Sequence, residues 1–375
     1  MRKRVLSCRM VKSVQIFYLI KKHISIFIKN IIYSDKLTYY PEEERKNRIS
    51  IFIDNFIWIL HFHHANEFYY ILGFDRKNYT QYRQKYINGR QCRKIIERKK
   101  MQVSNNSKIY DIVIHDKFIA AQYMESLGFP VPSTIAVVYN NKIILPKSDE
   151  EFPLNFIITE KKSLFEDCIC KPIADWAGRG IFRMQANDGN IIINNRNVTK
   201  NKFKDLFSNS KYIIQEKIIQ HEKMSKLNPN SINTIRLVTC FDNQTVQPFS
   251  AGVRIGMEGN ITDNWHTGGI LVRLNIESGL LDKYGFTHPE HSGKKYERHP
   301  ETGVKFDSYE IPYCHKAIDL ATNLHKYFYN THSIGWDIAI TKEGPVFIEA
   351  NQGWDPYIHL VLEDNFLDKF YTYFK

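Results

Sequence analysis

Nowhere does this sequence offer the roughly 20 consecutive apolar residues that a membrane-crossing helix requires. Its most apolar N-terminal stretch is broken by Lys12, Lys21, Lys22 and Lys29. The same lysines deny a secretory leader its apolar centre, although the chain begins Met-Arg-Lys-Arg. Cysteine is scarce, with six residues at positions 8, 92, 168, 170, 240 and 314. Only Cys168 and Cys170 lie close together, and no second Cys or His pair stands at zinc spacing. Free thiols in a reducing compartment are therefore expected, and with them a cytoplasmic protein. Internal repeats and low-complexity tracts are missing too, which sets aside repeat arrays and disordered linkers.

What is present describes a folded protein. Apolar residues make up 43% of the 375 and aromatics 14%, enough for two or three domains with substantial cores. Charge is unevenly placed. Residues 1–100 carry 22 Lys+Arg against 8 Asp+Glu, and the other 275 carry 30 against 32, so the net +12 belongs to the first quarter. In segment 11–32, Val14, Phe17, Tyr18, Ile24, Phe27, Ile28 and Ile31 recur at helical spacing beside lysines. That pattern fits an amphipathic helix on an anionic membrane, or a core helix with a solvated basic face. A peripheral position at the inner membrane face, through residues 1–32, is one expectation. Nucleic-acid binding is not expected, because no recognition motif accompanies the charge.

The helical texture continues through residues 35–104. Pro41 and three glutamates predict a helix start, followed by a long apolar face. His61, His63 and His64 are spaced so that a helix cannot aim all three one way, so they are not read as a metal site. The polar run QVSNNSK (102–108) marks a boundary. Beyond it, a helix over 113–129 gives way to β-branched runs alternating with helical ones.

Four stretches carry candidate chemistry. In CICKPIADWAGRGIFRM (168–184), Lys171 ends an apolar run and Gly178 and Gly180 follow in a loop. A strand-ending lysine reaches phosphate as a point charge, and glycines let backbone N–H groups close over it; an ordinary hairpin reads the same way. A strand over 212–215 runs into Glu216-Lys217-Ile218, whose backbone can pair with a purine edge. Arg236 and Arg254 interrupt apolar strands and need partners, either protein carboxylates or a bound phosphate. The loop NWHTGG (264–269) offers His266 as a general base and adjacent Gly268 and Gly269 for close approach to an anionic ligand. Finally, GWDIAITKEGPVFIEANQG (335–353) reads as a hairpin with Asp337, Glu349 and Asn351 at positions where a core would take Val or Ile. Glu349 and Asn351 share a face by the strand period, and Asp337 can face them across the hairpin. Such oxygen ligands suit Mg²⁺ shared with substrate phosphates.

Together with Gln215, KLNPNSINTIRLVT (226–239) and HPETG (299–303), these motifs occur in an order that resembles the ATP-grasp ligases. The likeness covers roughly residues 109–360, and is greatest to the sugar-transfer-associated ATP-grasp group of bacterial polysaccharide gene clusters. It implies an α+β ATP-grasp fold, two subdomains (109–214 and 215–375) gripping ATP, preceded by a basic, mainly helical region (1–108). By that resemblance Lys171 binds the ATP phosphates and Gly178, Arg179 and Gly180 cover them. Gln215, Glu216, Lys217 and Ile218 hold adenine, and Glu222 the ribose. Arg236, Arg254 and His266 serve catalysis, Asn264, Gly268 and Gly269 the second substrate, and Asp337, Glu349 and Asn351 one or two Mg²⁺ ions. The chain departs from the family at Thr234, where relatives often carry an acid, and at NQGWDP (351–356), which lacks their Pro-Gly. The implied reaction joins an amine to a carboxylate, here a sugar acid of a surface polysaccharide or its precursor, through an acyl phosphate. Phosphoryl transfer to a sugar hydroxyl, and a non-catalytic nucleotide- or polysaccharide-binding scaffold, are the alternative readings.

Overall fold

Adjacent asparagines at 140 and 141, both with positive φ, turn the chain back on itself in a tight hairpin, and the strands on either side begin an antiparallel sheet. The computed structural model describes residues 19–79, 89–103, 112–156, 162–175, 178–187, 190–207, 211–242, 244–257, 259–291, 293–362 and 366–374. Two compact units emerge. One comprises Met1–Asn88 with Pro289–Lys295, the other Gly89–His288 with Tyr296–Lys375.

In the first unit, helix α1 (residues 19–32) and helix α2 (Arg48–Phe62) accompany a buried segment that includes Phe68, Tyr69, Tyr70, Ile71 and Phe74. Val14, Phe17 and Tyr18 lie outside the described residues. Helix α2 does not begin at Pro41. It starts after Asn47, whose side chain accepts from Ser50 N–H at 2.8 Å, a cap that Pro41 and the glutamates after it stand too far upstream to supply. It ends at His63, which adopts a left-handed conformation. His64 is buried and bonds the Ala65 carbonyl at 2.9 Å, while His61 and His63 are exposed.

The second unit opens with helix α3 (Gly89–Val103), followed by helix α4 (Lys117–Ser126), whose N-cap Asp116 accepts from Phe118 and Ile119 N–H groups. Eight strands then form one antiparallel sheet: β1 (Thr134–Tyr139), β2 (Lys142–Leu145), β3 (Glu150–Pro153), β4 (Cys168–Pro172), β5 (Phe182–Asn187), β6 (Asn190–Ile193), β7 (Arg196–Val198) and β8 (Tyr212–Glu216). Their order is β3-β2-β1-β8-β4-β5-β6-β7. Helix α5 (Lys200–Phe207) covers one face, burying Phe203 and Phe207 against Cys168, Cys170, Phe182 and Ile214. Cys168 and Cys170 are thus core residues, and the five cysteines among the described residues are all unpaired and buried.

After the short helix α6 (Glu222–Leu227) comes a second antiparallel sheet. Its strands are β9 (Thr234–Phe241), β10 (Val246–Ile255), β11 (Ile270–Leu274), β12 (Leu281–Thr287), β13 (Lys295–Tyr296), β14 (Ser333–Ile340) and β15 (Pro345–Asn351), ordered β13-β12-β11-β10-β9-β14-β15. Helix α7 (Cys314–Lys326) presents Ala317, Ala321 and Leu324 to one face of this sheet, where they join Ile235, Leu237, Val253 and Trp336 in the main core. The chain ends with helices α8 (Pro356–Leu362) and α9 (Phe366–Phe374).

Candidate active-site cleft

The period of two that sends Ile235 and Leu237 into the core sends Thr234 and Arg236 to the opposite face. In register across that face lie Arg254 beside Thr234, Asp337 beside Arg236, and Glu349 beside Asp337. Five polar side chains are thus aligned across four adjacent strands. Asp337 is the hub: its Oδ1 lies 2.7 Å from Arg236 Nε, and its Oδ2 accepts from Arg236 Nη2 at 3.1 Å and lies 2.9 Å from Arg254 Nη2. All three residues are buried. Burial presses Arg236 below its ordinary pKa against the pull of Asp337. Burial opposes Arg254 as well, but Asp263 and Asp337 together raise it. Both sequence-flagged arginines therefore have protein carboxylates as partners.

The eight-stranded sheet supplies the facing wall. Lys171, at the end of β4, is half-buried and donates to Gln215 Oε1 at 3.0 Å. Burial lowers its pKa to about 8, and the nearby charges are Glu349, which raises it, Lys117, which lowers it, and Asp337, which raises it. Lys117, the first residue of α4, reaches Glu349 Oε1 at 3.5 Å and donates to the Asp175 carbonyl at 2.6 Å. Between these groups lies a cavity of about 640 Å³. Apolar residues from strands of both sheets, Ile169 and Ile348, and from the loops beside β5 and β8, Ile181 and Ile218, line it together with the polar set. This combination of a mostly apolar concavity and a few convergent charged groups is what a ligand site requires.

Eleven of the sequence-flagged residues line this cavity: Lys171, Gly178, Glu216, Ile218, Arg236, Arg254, Asn264, His266, Asp337, Glu349 and Asn351. Gln215 supports it from behind, holding Lys171 and donating to the Pro132 carbonyl. Lys217 turns to Asp167 at 3.2 Å. Glu222 is exposed on α6 and Arg179 is exposed beside Asp175; neither lines the cavity. Gly180, Gly268 and Gly269 do not line it either, and local packing accounts for them. A Cβ on Gly180 would stand 2.9 Å from Pro172 Cγ, Gly268 has φ 105°, and a Cβ on Gly269 would stand 2.4 Å from the Asp263 carbonyl oxygen.

Other contributors are new. Asp263, buried just before the NWHTGG loop, accepts from Thr234 N–H at 2.8 Å and from its hydroxyl at 2.5 Å, and lies 3.5 Å from Arg254. Asp263 thus brings a carboxylate to Thr234 from a loop. Burial raises the Asp263 carboxyl, against the pull of Arg254. Asp355, inside the divergent NQGWDP stretch, lies 3.1 Å from His266 Nε2 and accepts from Arg93 at 3.3 Å. Burial works to raise Asp355, but His266 and Arg93 bring it down to about 2. Arg93, Ile96 and Glu97 bring α3 to the cavity wall. A β-bulge between Asp337 and Ile338 leaves Ile348 outside the register pairs, so that Ile348 and Glu349, consecutive in sequence, both line the cavity.

The donor set fits a hard cation. Asp337 Oδ1 is buried and its one close partner is Arg236 Nε at 2.7 Å, Glu349 is 29% exposed toward the cavity, and Asn351 lines it two residues on. Among the described residues no group of three His, Cys, Asp or Glu gathers at metal distance, so the third oxygen here is an amide.

Solved structures similar to the chain include D-alanyl-alanine synthetase A from Vibrio cholerae, at 10% identity over 70% of this chain and 65% of that one, TM-score 0.39. The D-Ala:D-Ser ligase of Enterococcus faecalis is similar at 13% identity over 70% and 62%, TM-score 0.40. N5-carboxyaminoimidazole ribonucleotide synthetase from Thermotoga maritima is similar at 11% identity over 64% and 42%, TM-score 0.34. The chain spans less than two thirds of the length of each of these. No curated protein sequence matches it. The sequence profile described as sugar-transfer associated ATP-grasp matches residues 97–368. That is well over half of the chain, which therefore belongs to the sugar-transfer associated ATP-grasp family, its two sheets and intervening cleft forming the ATP-grasp fold behind a helical N-terminal region.

Proposed function

We propose that this protein is an ATP-dependent carboxylate–amine ligase that attaches an amino acid or other amine to a sugar acid of a surface polysaccharide or its precursor. One observation carries the reading: Lys171 and Lys117 on one wall converge on Glu349 and Asp337 on the other, with Arg236 and Arg254 beside them. Among the described residues no Cys or Ser lines the cavity, and the convergent charges suit positioning and charge neutralisation.

In this scheme a substrate carboxylate oxygen attacks the γ-phosphorus of ATP and ADP departs. The amine then attacks the acyl carbon, its extra proton passes to a base, and phosphate departs. Lys171 and Lys117 hold the phosphates as point charges. Arg236 and Arg254, fixed by Asp337 and Asp263, meet the negative charge that develops as the phosphoryl group moves. Mg²⁺, as one or two ions held by Asp337, Glu349 and Asn351, would neutralise charge on the phosphate oxygens. Gly178, Glu216 and Ile218, with Ile169, Ile181 and Ile348, surround the nucleotide. His266, which lines the cavity and is held by Asp355, would serve as the base for the amine.

The same His266–Asp355 pair favours a second reading, phosphoryl transfer to a sugar hydroxyl, since a hydroxyl also needs a base. Incubation with ATP, Mg²⁺ and panels of uronic sugars and amines, with ADP, phosphate and product mass measured, separates the two. Amide formation with stoichiometric ADP and phosphate supports the ligase. A stable phosphorylated sugar, with no phosphate released, contradicts it.

A further inference from the structure

Helices α1 and α2 bury the polar side chains Asn30, Asp54 and Asn55 while exposing a series of large apolar ones, an unusual distribution for helices packed in water. Inside, Asn30 Nδ2 donates to Asn55 Oδ1 and to the Asn66 carbonyl, both at 2.9 Å. Asp54 accepts from the Tyr69 hydroxyl at 2.9 Å and from Lys46 at 2.7 Å. Outside, α2 exposes Ile49, Phe52, Ile53, Phe56, Ile57 and Leu60, each between 43% and 72% accessible. Their spacing of three and four puts them on one stripe, opposite the buried Ile51, Asp54 and Asn55. Helix α1 exposes Ile20, Ile24, Ile28 and Ile32 at intervals of four. Phe27 and Phe52 join the helices, their rings 5.6 Å apart. An accessible apolar surface on two adjacent helices is the mark of an interaction site.

We infer that this two-helix face lies flat on an anionic phospholipid bilayer. The charge around it selects that occupant. Neither helix carries an exposed acidic side chain, because residues 19–32 hold no Asp or Glu and the one carboxylate of α2, Asp54, is buried and paired. Lys21 and Lys29 are exposed, each one residue beyond an isoleucine of the α1 stripe, and Lys36 is exposed just beyond the helix. A second copy of the chain would set two such basic rims against each other, whereas anionic headgroups complement them. Helix α2, with 15 residues, is about 22 Å long, short of the roughly 30 Å apolar thickness of a bilayer. Among the described residues no helix is long and apolar enough to cross a membrane. The face therefore rests in the interface. This inference is independent of the chemistry proposed for the cleft.

Flotation of the full-length protein with vesicles of 70% phosphatidylcholine and 30% phosphatidylglycerol, or of phosphatidylcholine alone, tests it. The wild-type chain floats with the anionic vesicles and several-fold less with the neutral ones. Ile53→Glu combined with Ile57→Glu lowers apparent affinity about a hundredfold, as expected for losing two inserted side chains. Lys21→Glu with Lys29→Glu, which leaves the apolar stripe intact, removes the preference for anionic vesicles. Ile219→Glu, at an exposed position in the second unit, binds as wild type. No wild-type flotation, or equal flotation of the Ile53/Ile57 variant, overturns the inference. So does a wild-type dimer that does not float and that the Ile53/Ile57 variant dissociates, since it assigns the face to a second copy.

Discussion

Between about pH 7 and about pH 9 the Lys171 ammonium gives up its proton, because burial pulls its pKa from 10.5 to about 8 despite the nearby Glu349 and Asp337. A triphosphate beside that ammonium favours the charged form and returns the pKa toward its ordinary value. Binding then takes up a proton wherever free Lys171 is neutral. The sign follows: affinity is at its plateau below the free pKa and falls as pH rises through it. With a free pKa near 8, uptake is roughly 0.1 proton at about pH 7 and roughly 0.9 at about pH 9, and affinity drops about tenfold over the interval. Titration calorimetry of ATP in buffers of different ionisation heat measures both quantities. Lys171→Arg, charged throughout, should flatten the profile. Equal affinity at both pH values without proton uptake would refute placing Lys171 against the phosphates.

Three other perturbations probe the cleft. Asp337→Asn leaves Arg236 and Arg254 buried with their shared carboxylate gone, and should lower stability by about 3–5 kcal/mol in denaturant unfolding. Asp355→Asn releases His266 and Arg93 while leaving the phosphate-side residues in place. It should raise KM for the second substrate and reduce kcat, with ATP affinity in calorimetry unchanged. Gly269→Ala drives a methyl group to 2.4 Å from the Asp263 carbonyl and should cost about 1–3 kcal/mol in thermal unfolding, by overpacking.

Much of the cleft was legible because its residues break local rules. Arginine within an apolar strand, and carboxylates where Val or Ile belongs, conflict with burial, and Arg236, Arg254, Asp337 and Glu349 all meet at the cavity. Residues that obey local rules gave no signal. Asp263 sits in a turn-rich loop where aspartate is commonplace, and Asp355 likewise. Gly268 and Gly269 show the converse: a glycine that a turn requires reads the same in sequence as one that admits a ligand. The bulge beside Glu349 depends on pairing register, which no single strand reveals. The apolar face of helix α2 was legible, but its exposure was not, because periodicity identifies an apolar stripe and not what faces it. Arg93 was grouped with the basic helices before it, since composition does not say which elements a helix packs against, here the C-terminal helices α8 and α9.

Calorimetric titration of ATP with and without Mg²⁺, on the wild type and on the Glu349→Gln/Asn351→Ala variant, tests the central claim most directly. The account predicts Mg²⁺-dependent binding by the wild type and loss of that dependence in the variant. Binding of Mg·ATP by the variant with wild-type affinity and wild-type Mg²⁺ dependence would contradict it.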